Sequence, residues 1–220
     1  MAAVAVFCLT HLLLDLAPPA QAGQAGQVRV LALGDSLTAG YGLSPRAAFP
    51  AVLEEMLNAE GLAVSITNAG ISGDTTAGAR ARLGRYLADP PQACIVALGA
   101  NDALRGLNPE QAEANLAAIL TELTSRGVKV LLAGWWATPE WSSPRYAKIF
   151  NEIYPRLAAR FGVDLYPSFL AGVIDDPRLT MDGLHPTNQG VRIMAQGIYP
   201  QAKRLVLAAQ PPPAPPLQER

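Results

Sequence analysis

The chain has 220 residues, half of them hydrophobic, with 17 basic and 18 acidic side chains and a formal net charge of −1. That length and composition suit one domain with a substantial core. The balanced charge, with no cluster of Lys or Arg, argues against a nucleic-acid partner or an anionic membrane surface.

Taken in chain order, residues 1–26 stand apart. The first 17 are mostly apolar, Ala20-Gln21-Ala22 has the small-x-small pattern of a signal-peptidase site, and residues 23–27 hold only Gly, Gln and Ala. This predicts a signal peptide with a flexible start to the mature protein, and hence export to the periplasm or medium. Two features run the other way: no Lys or Arg precedes Arg29, and His11 and Asp15 interrupt the apolar run. The alternative is an amphipathic or disordered extension. The run falls short of the ~18–20 uninterrupted apolar residues of a membrane helix, so no stable span is expected.

Five apolar runs follow: 28–33 (VRVLAL), 63–67 (AVSIT), 93–98 (ACIVAL), 128–133 (VKVLLA) and 163–166 (VDLY). Runs without polar alternation are what strands need when both faces of a sheet are covered. Between them, Ser44-Pro45, Asn108-Pro109 and Ser143-Pro144 each place a capping side chain before a proline, the third opening a helix towards Phe161. Asp74 is expected to cap a further helix, and Thr187-Asn188 to open the last. The alternation predicts an α/β fold over residues 27–208, a single three-layer α/β/α domain around a five-stranded parallel sheet. Residues 209–220, with prolines at 211–213, 215 and 216, read as a polyproline tail outside it.

Ligands of an open parallel sheet bind outside the carboxyl ends of its strands. There the first run meets Gly34-Asp35-Ser36-Leu37, the second Ile71-Ser72-Gly73-Asp74, and the third Gly99-Ala100-Asn101-Asp102. Asp182-Gly183-Leu184-His185-Pro186 comes just before the last helix. A serine hydroxyl needs a base that is neutral near pH 7, which histidine supplies. His185 is the single histidine outside the leader-like start. Asp182 is three residues away and can fix its tautomer. The backbone N–H groups of Ser36 and Gly73 and the Asn101 amide can hold an oxyanion. Ser36, Asp182 and His185 are therefore the candidate catalytic residues, with Ser36, Gly73 and Asn101 as the oxyanion hole. Cys8 and Cys94 form neither a disulfide framework nor a metal-ligand pattern, and no metal site is expected. G-x-S-x-G occurs around no serine, which disfavours the α/β-hydrolase fold.

Gly34–Gly42 (GDSLTAGYG), Ile71–Thr75 (ISGDT), Gly99–Gly106 (GANDALRG) and Asp182–Pro186 (DGLHP) resemble the four blocks of the SGNH (GDSL) hydrolase superfamily. They are most similar to its small bacterial branch of arylesterases and thioesterase I/lysophospholipase L1 proteins. The resemblance implies a flavodoxin-like sheet of order 2-1-3-4-5, periplasmic export, no metal or organic cofactor, and the roles just given to the five site residues. A monomer acting on small acyl esters or thioesters is expected. Two departures stand out: Ala100 replaces a glycine frequent in the family, and residues 135–146 (WWATPEWSSPRY) carry three tryptophans. That loop either borders the acyl pocket or packs one or two tryptophans in the core. Alternative functions are a carbohydrate or peptidoglycan O-deacetylase and a non-catalytic lipid-binding module.

Overall fold

A computed structural model describes residues 26–138 and 142–211. The proposed signal peptide and nearly all of the proline-rich tail lie outside the described residues. Strands β1 (Val28–Gly34), β2 (Val64–Gly70), β3 (Ala93–Ala97), β4 (Lys129–Ala133) and β5 (Asp164–Tyr166) form one parallel sheet in the order β2-β1-β3-β4-β5. All five apolar runs thus became strands, in the doubly wound order that the resemblance implied. Both faces are covered. Helices α2 (Phe49–Ala59) and α8 (Asn188–Ala209) pack together against the sheet. Helices α3 (Thr76–Arg82), α5 (Pro109–Ser125) and α7 (Ile153–Phe161) form a second packed group. The short helices α1 (Ser36–Ala39), α4 (Ala100–Leu104) and α6 (Pro144–Asn151) complete the set. Leu33, Ile95, Phe49, Leu53, Leu116, Ile119 and Leu120 are fully buried between the layers. Each contributes about 1.5–3 kcal/mol by leaving water. Among the described residues no helix is long and apolar enough to cross a membrane.

The register aligns the strands' carboxyl ends. Gly34 pairs with Gly70 and Ala97, Ala97 with Ala133, and Ala133 with Tyr166. The loops that follow β1 to β5 therefore start from one row across the sheet.

Two helix boundaries differ from expectation, both because of a proline. Ser44-Pro45 opens only a 3-10 turn, Pro45–Ala47, and the Ser44 side chain caps nothing. Pro50 cannot donate to the Arg46 carbonyl and its ring would collide with it, so the helix restarts with Pro50 in its first turn. The helix begun at Pro144 stops at Asn151 and resumes at Ile153. Pro155 has no N–H for the Asn151 carbonyl, and the break falls there. Asn108, Ser143 and Thr187 do cap their helices, accepting from Gln111, Tyr146 and Gly190.

Candidate active site

Ser36 stands where β1 turns sharply into α1. Asp35 caps that helix, its Oδ1 accepting from the Leu37 N–H at 3.0 Å. The turn needs glycine on both sides of the sheet end. A Cβ on Gly34 would sit 2.0 Å from Thr38 Oγ1, and one on Gly70 would sit 2.2 Å from the Ala39 nitrogen. The hydroxyl so presented lies 2.9 Å from His185 Nε2. On the far side of the ring, Nδ1 is 2.7 Å from Asp182 Oδ2. Asp182 Oδ1 accepts from the backbone N–H of His185 at 2.8 Å and of Leu184 at 3.1 Å. The His185 backbone and ring hydrogen bonds hold the Asp182 carboxyl below the usual carboxylate range. The loop closes on itself through an antiparallel bridge between Thr180 and Pro186 and a Met181 N–H to His185 carbonyl bond of 2.7 Å. The Tyr41 ring packs on the imidazole with centroids 4.4 Å apart.

The proposed oxyanion donors face the same space. Gly73 is the third residue of a turn closed by the Asp74 N–H to Ile71 carbonyl bond, at φ +80°, where a side chain would be strained. Among the described residues no acceptor takes the N–H of Ser36 or of Gly73. Asn101 begins the second step of α4, which β3 enters through Gly99 at φ +112°. A Cβ on Gly99 would meet Tyr154 Oη at 2.2 Å, and that hydroxyl donates to the Leu98 carbonyl. The two loops are tied together by Asp102, which is buried and accepts from Thr76 N–H at 2.9 Å and Thr76 Oγ1 at 2.6 Å. Ser36, Gly73, Asn101 and His185 share a cleft of about 250 Å³ whose apolar walls include Tyr41, Leu104 and Leu184. A larger cavity of about 470 Å³ lies at the opposite end of the sheet, by Lys129 and Asp164, and is lined by no serine, cysteine or histidine. Size does not mark the site; chemistry does.

Asp74 is not the cap expected of it. Thr75 caps α3, accepting from Gly78, while Asp74 pairs with Arg82 Nε at 2.7 Å. Both partners are almost fully buried, and Arg82 Nη2 also donates to the Gly34 carbonyl at 3.0 Å beneath Ser36. A carboxylate facing a buried guanidinium has a stronger partner than a backbone N–H, so the neighbouring threonine takes the cap. Of the three tryptophans, Trp135 is buried and Trp136 is exposed, and Trp141 lies outside the described residues. Neither Trp135 nor Trp136 lines the cleft beside Ser36 and His185. Tyr146, in the first turn of α6, donates to the Leu107 carbonyl at 2.8 Å and so braces the segment after Asn101. Sequence reasoning passed over Arg82, Arg105, Tyr41 and Asp102. For Asp102 the GxND-like string was a signal; the others act through contacts between separate loops.

A doubly wound sheet whose carboxyl edge joins a serine to a histidine–carboxylate pair, beside free backbone donors, defines a serine hydrolase acting on esters or thioesters. Residues 32–193 match the GDSL-like Lipase/Acylhydrolase family, and the chain belongs to that family. Esterase TesA of Pseudomonas aeruginosa is 37% identical over 185 residues, covering 83% of this chain and 92% of its own. Thioesterase 1/protease 1/lysophospholipase L1 of Escherichia coli K12 is 38% identical over 179 residues, covering 80% and 84%. The crystal structure of TesA superposes with a TM-score of 0.76 at 37% identity over 80% of this chain and 99% of that one. The SGNH-hydrolase family esterase AlinE4, 41% identical, gives 0.68 over 81% and 96%.

Proposed function

We propose that Ser36 is the nucleophile, His185 the general base and acid, and Asp182 the group that orients the imidazole and stabilises the imidazolium formed when Ser36 gives up its proton. Ser36 Oγ attacks the acyl carbon while its proton passes to His185 Nε2. The oxyanion is held by the N–H groups of Ser36 and Gly73 and by Asn101 Nδ2. Its collapse expels the alcohol or thiol, which takes the proton from Nε2, and leaves an acyl group on Ser36. Water attacks that ester with its proton going to Nε2, and the acid leaves as Ser36 regains its hydrogen. Each step uses this chain's own groups. The observation that carries the reading is the continuous path from Ser36 Oγ through the ring to Asp182, 2.9 and 2.7 Å long. The Tyr41, Leu104 and Leu184 walls favour an apolar acyl chain over a sugar, so the deacetylase reading is set aside.

The test is Ser36→Ala, assayed on p-nitrophenyl esters of graded chain length and with a fluorophosphonate probe. Hydrolysis and labelling should both vanish while circular dichroism is unchanged; stoichiometric labelling of the variant would assign the nucleophile elsewhere. We also place the enzyme outside the cytoplasm, on the strength of Ala20-Gln21-Ala22 and the apolar run before it. The exported protein should begin at Gly23 by N-terminal sequencing; recovery with Met1 intact would remove that reading.

A further inference from the structure

We infer that Arg105 is a positioning residue for the oxyanion hole, holding its Gly73 and Asn101 arms in one grip. The inference rests on the catalytic reading above and deepens it. Arg105 lies one helical turn after Asn101, just past the end of α4. Its Nη2 donates to the Gly73 carbonyl at 2.7 Å and reaches Asn101 Oδ1 at 3.4 Å. Among the described residues no carboxylate pairs with it. One guanidinium nitrogen thus serves two loops, one following β2 and one following β3.

Each contact has a chemical consequence at the cleft. Guanidinium only donates, so the amide atom it meets must be the oxygen. Asn101 is thereby barred from flipping, and Nδ2 is left to face the cleft as a donor. The cation on the oxygen also draws electron density from the amide and sharpens that N–H. At Gly73 the bond to the carbonyl anchors a residue that has no Cβ to restrict its backbone and that stands at φ +80°. Anchoring the carbonyl fixes the peptide plane after Gly73, whose Asp74 N–H already closes the turn on Ile71, and so limits the φ and ψ rotation through which the Gly73 N–H could swing away. Preorganised donors stabilise the developing charge because they need not reorient as it forms. A charged side chain with largely exposed bonds adds little to folding stability. Its placement is accounted for by the site.

The experiment compares Arg105→Ala and Arg105→Lys with the unaltered enzyme on a short-chain p-nitrophenyl ester. For Arg105→Ala, kcat should fall about 10–100-fold, less than the roughly 100–1000-fold of a lost oxyanion donor, with KM within about twofold. Millimolar guanidinium chloride should restore part of that rate, and Arg105→Lys should fall between the two. In an Asn101→Ala background the loss from Arg105→Ala should shrink at least threefold, because one of its two arms is already gone. A kcat within twofold of the unaltered enzyme, a rise in KM alone, or an undiminished loss in the Asn101→Ala background overturns the inference. Fluorophosphonate labelling of Ser36 separates the two readings: if Arg105→Ala behaves as expected but Ser36→Ala still labels, the nucleophile assignment is what fails. Should Arg105→Ala not fold, Arg105→Lys and Arg105→Gln carry the same comparison.

Discussion

Replacing Asp182 by asparagine should harm the enzyme more than replacing it by alanine. Asp182 Oδ1 accepts two backbone N–H groups, from Leu184 and His185, while Oδ2 faces the ring. An amide at position 182 keeps its oxygen on the two backbone donors, so its NH₂ confronts His185 Nδ1. That nitrogen must then be an acceptor, and the ring proton moves to Nε2, where it points at Ser36 Oγ in place of the lone pair that the base needs. Recovering the productive tautomer means turning the NH₂ onto two N–H groups, at about 1–3 kcal/mol for each bond displaced. The Asp182 side chain is 47% exposed, so water relieves part of this. About 2–4 kcal/mol remains, roughly 30–1000-fold in the population of the active form. With the lost stabilisation of the imidazolium, Asp182→Asn should lower kcat/KM by roughly 10³–10⁴. Asp182→Ala loses the charge but sets no tautomer trap, and should be about tenfold faster than Asp182→Asn. Steady-state hydrolysis of p-nitrophenyl butyrate at pH 7–8, on variants of unchanged circular dichroism, decides it. An asparagine variant as fast as the alanine one would refute the argument from the Oδ1 bonds.

Three further outcomes follow from the same geometry. Asn101→Ala should reduce kcat by about 100–1000-fold with KM little changed, since its amide acts on charge that develops only in the transition state; a loss below threefold would make Asn101 a structural residue. Burial raises the Asp35 carboxyl to about 7. Between the ordinary value of 3.8 and about 7 the folded chain holds a proton that the unfolded chain releases, so stability falls as pH rises through that window. Asp35→Asn keeps the cap on Leu37 and should flatten this part of the profile in urea unfolding at pH 5 and 8; equal slopes for both proteins would count against it. Asp74→Ala strands the buried Arg82 and should cost about 3–5 kcal/mol in the same measurement, whereas a loss under 1 kcal/mol would mean that water reaches the guanidinium.

The strands were readable because a sheet covered on both faces tolerates few polar residues, and 93–98 and 128–133 hold almost none. The candidate site was legible for a related reason: acyl transfer restricts residue type, and the chain offers one histidine beyond its start. What escaped depended on contacts between distant residues. Asp74 and Thr75 are equally good caps by composition, and the choice between them was made by Arg82, eight positions away on the other end of α3. Tyr41 over His185 and Arg105 on Gly73 join loops that no periodicity connects. The helix breaks are a different case. Pro50 and Pro155 were visible, and reading each against the carbonyl four residues earlier would have located both.

The proposed nucleophile and its proposed base sit 149 residues apart along the chain, and that spacing has a consequence in time. During synthesis Ser36 emerges early, on the first strand, while His185 emerges late, just ahead of α8, which packs on α2 and on four of the five strands. With the roles proposed above, a growing chain carries an ordinary alcohol at position 36 until its last helix docks. Reactivity is thus a property of the finished polypeptide, and partly made chains pass through the cell inert towards its esters.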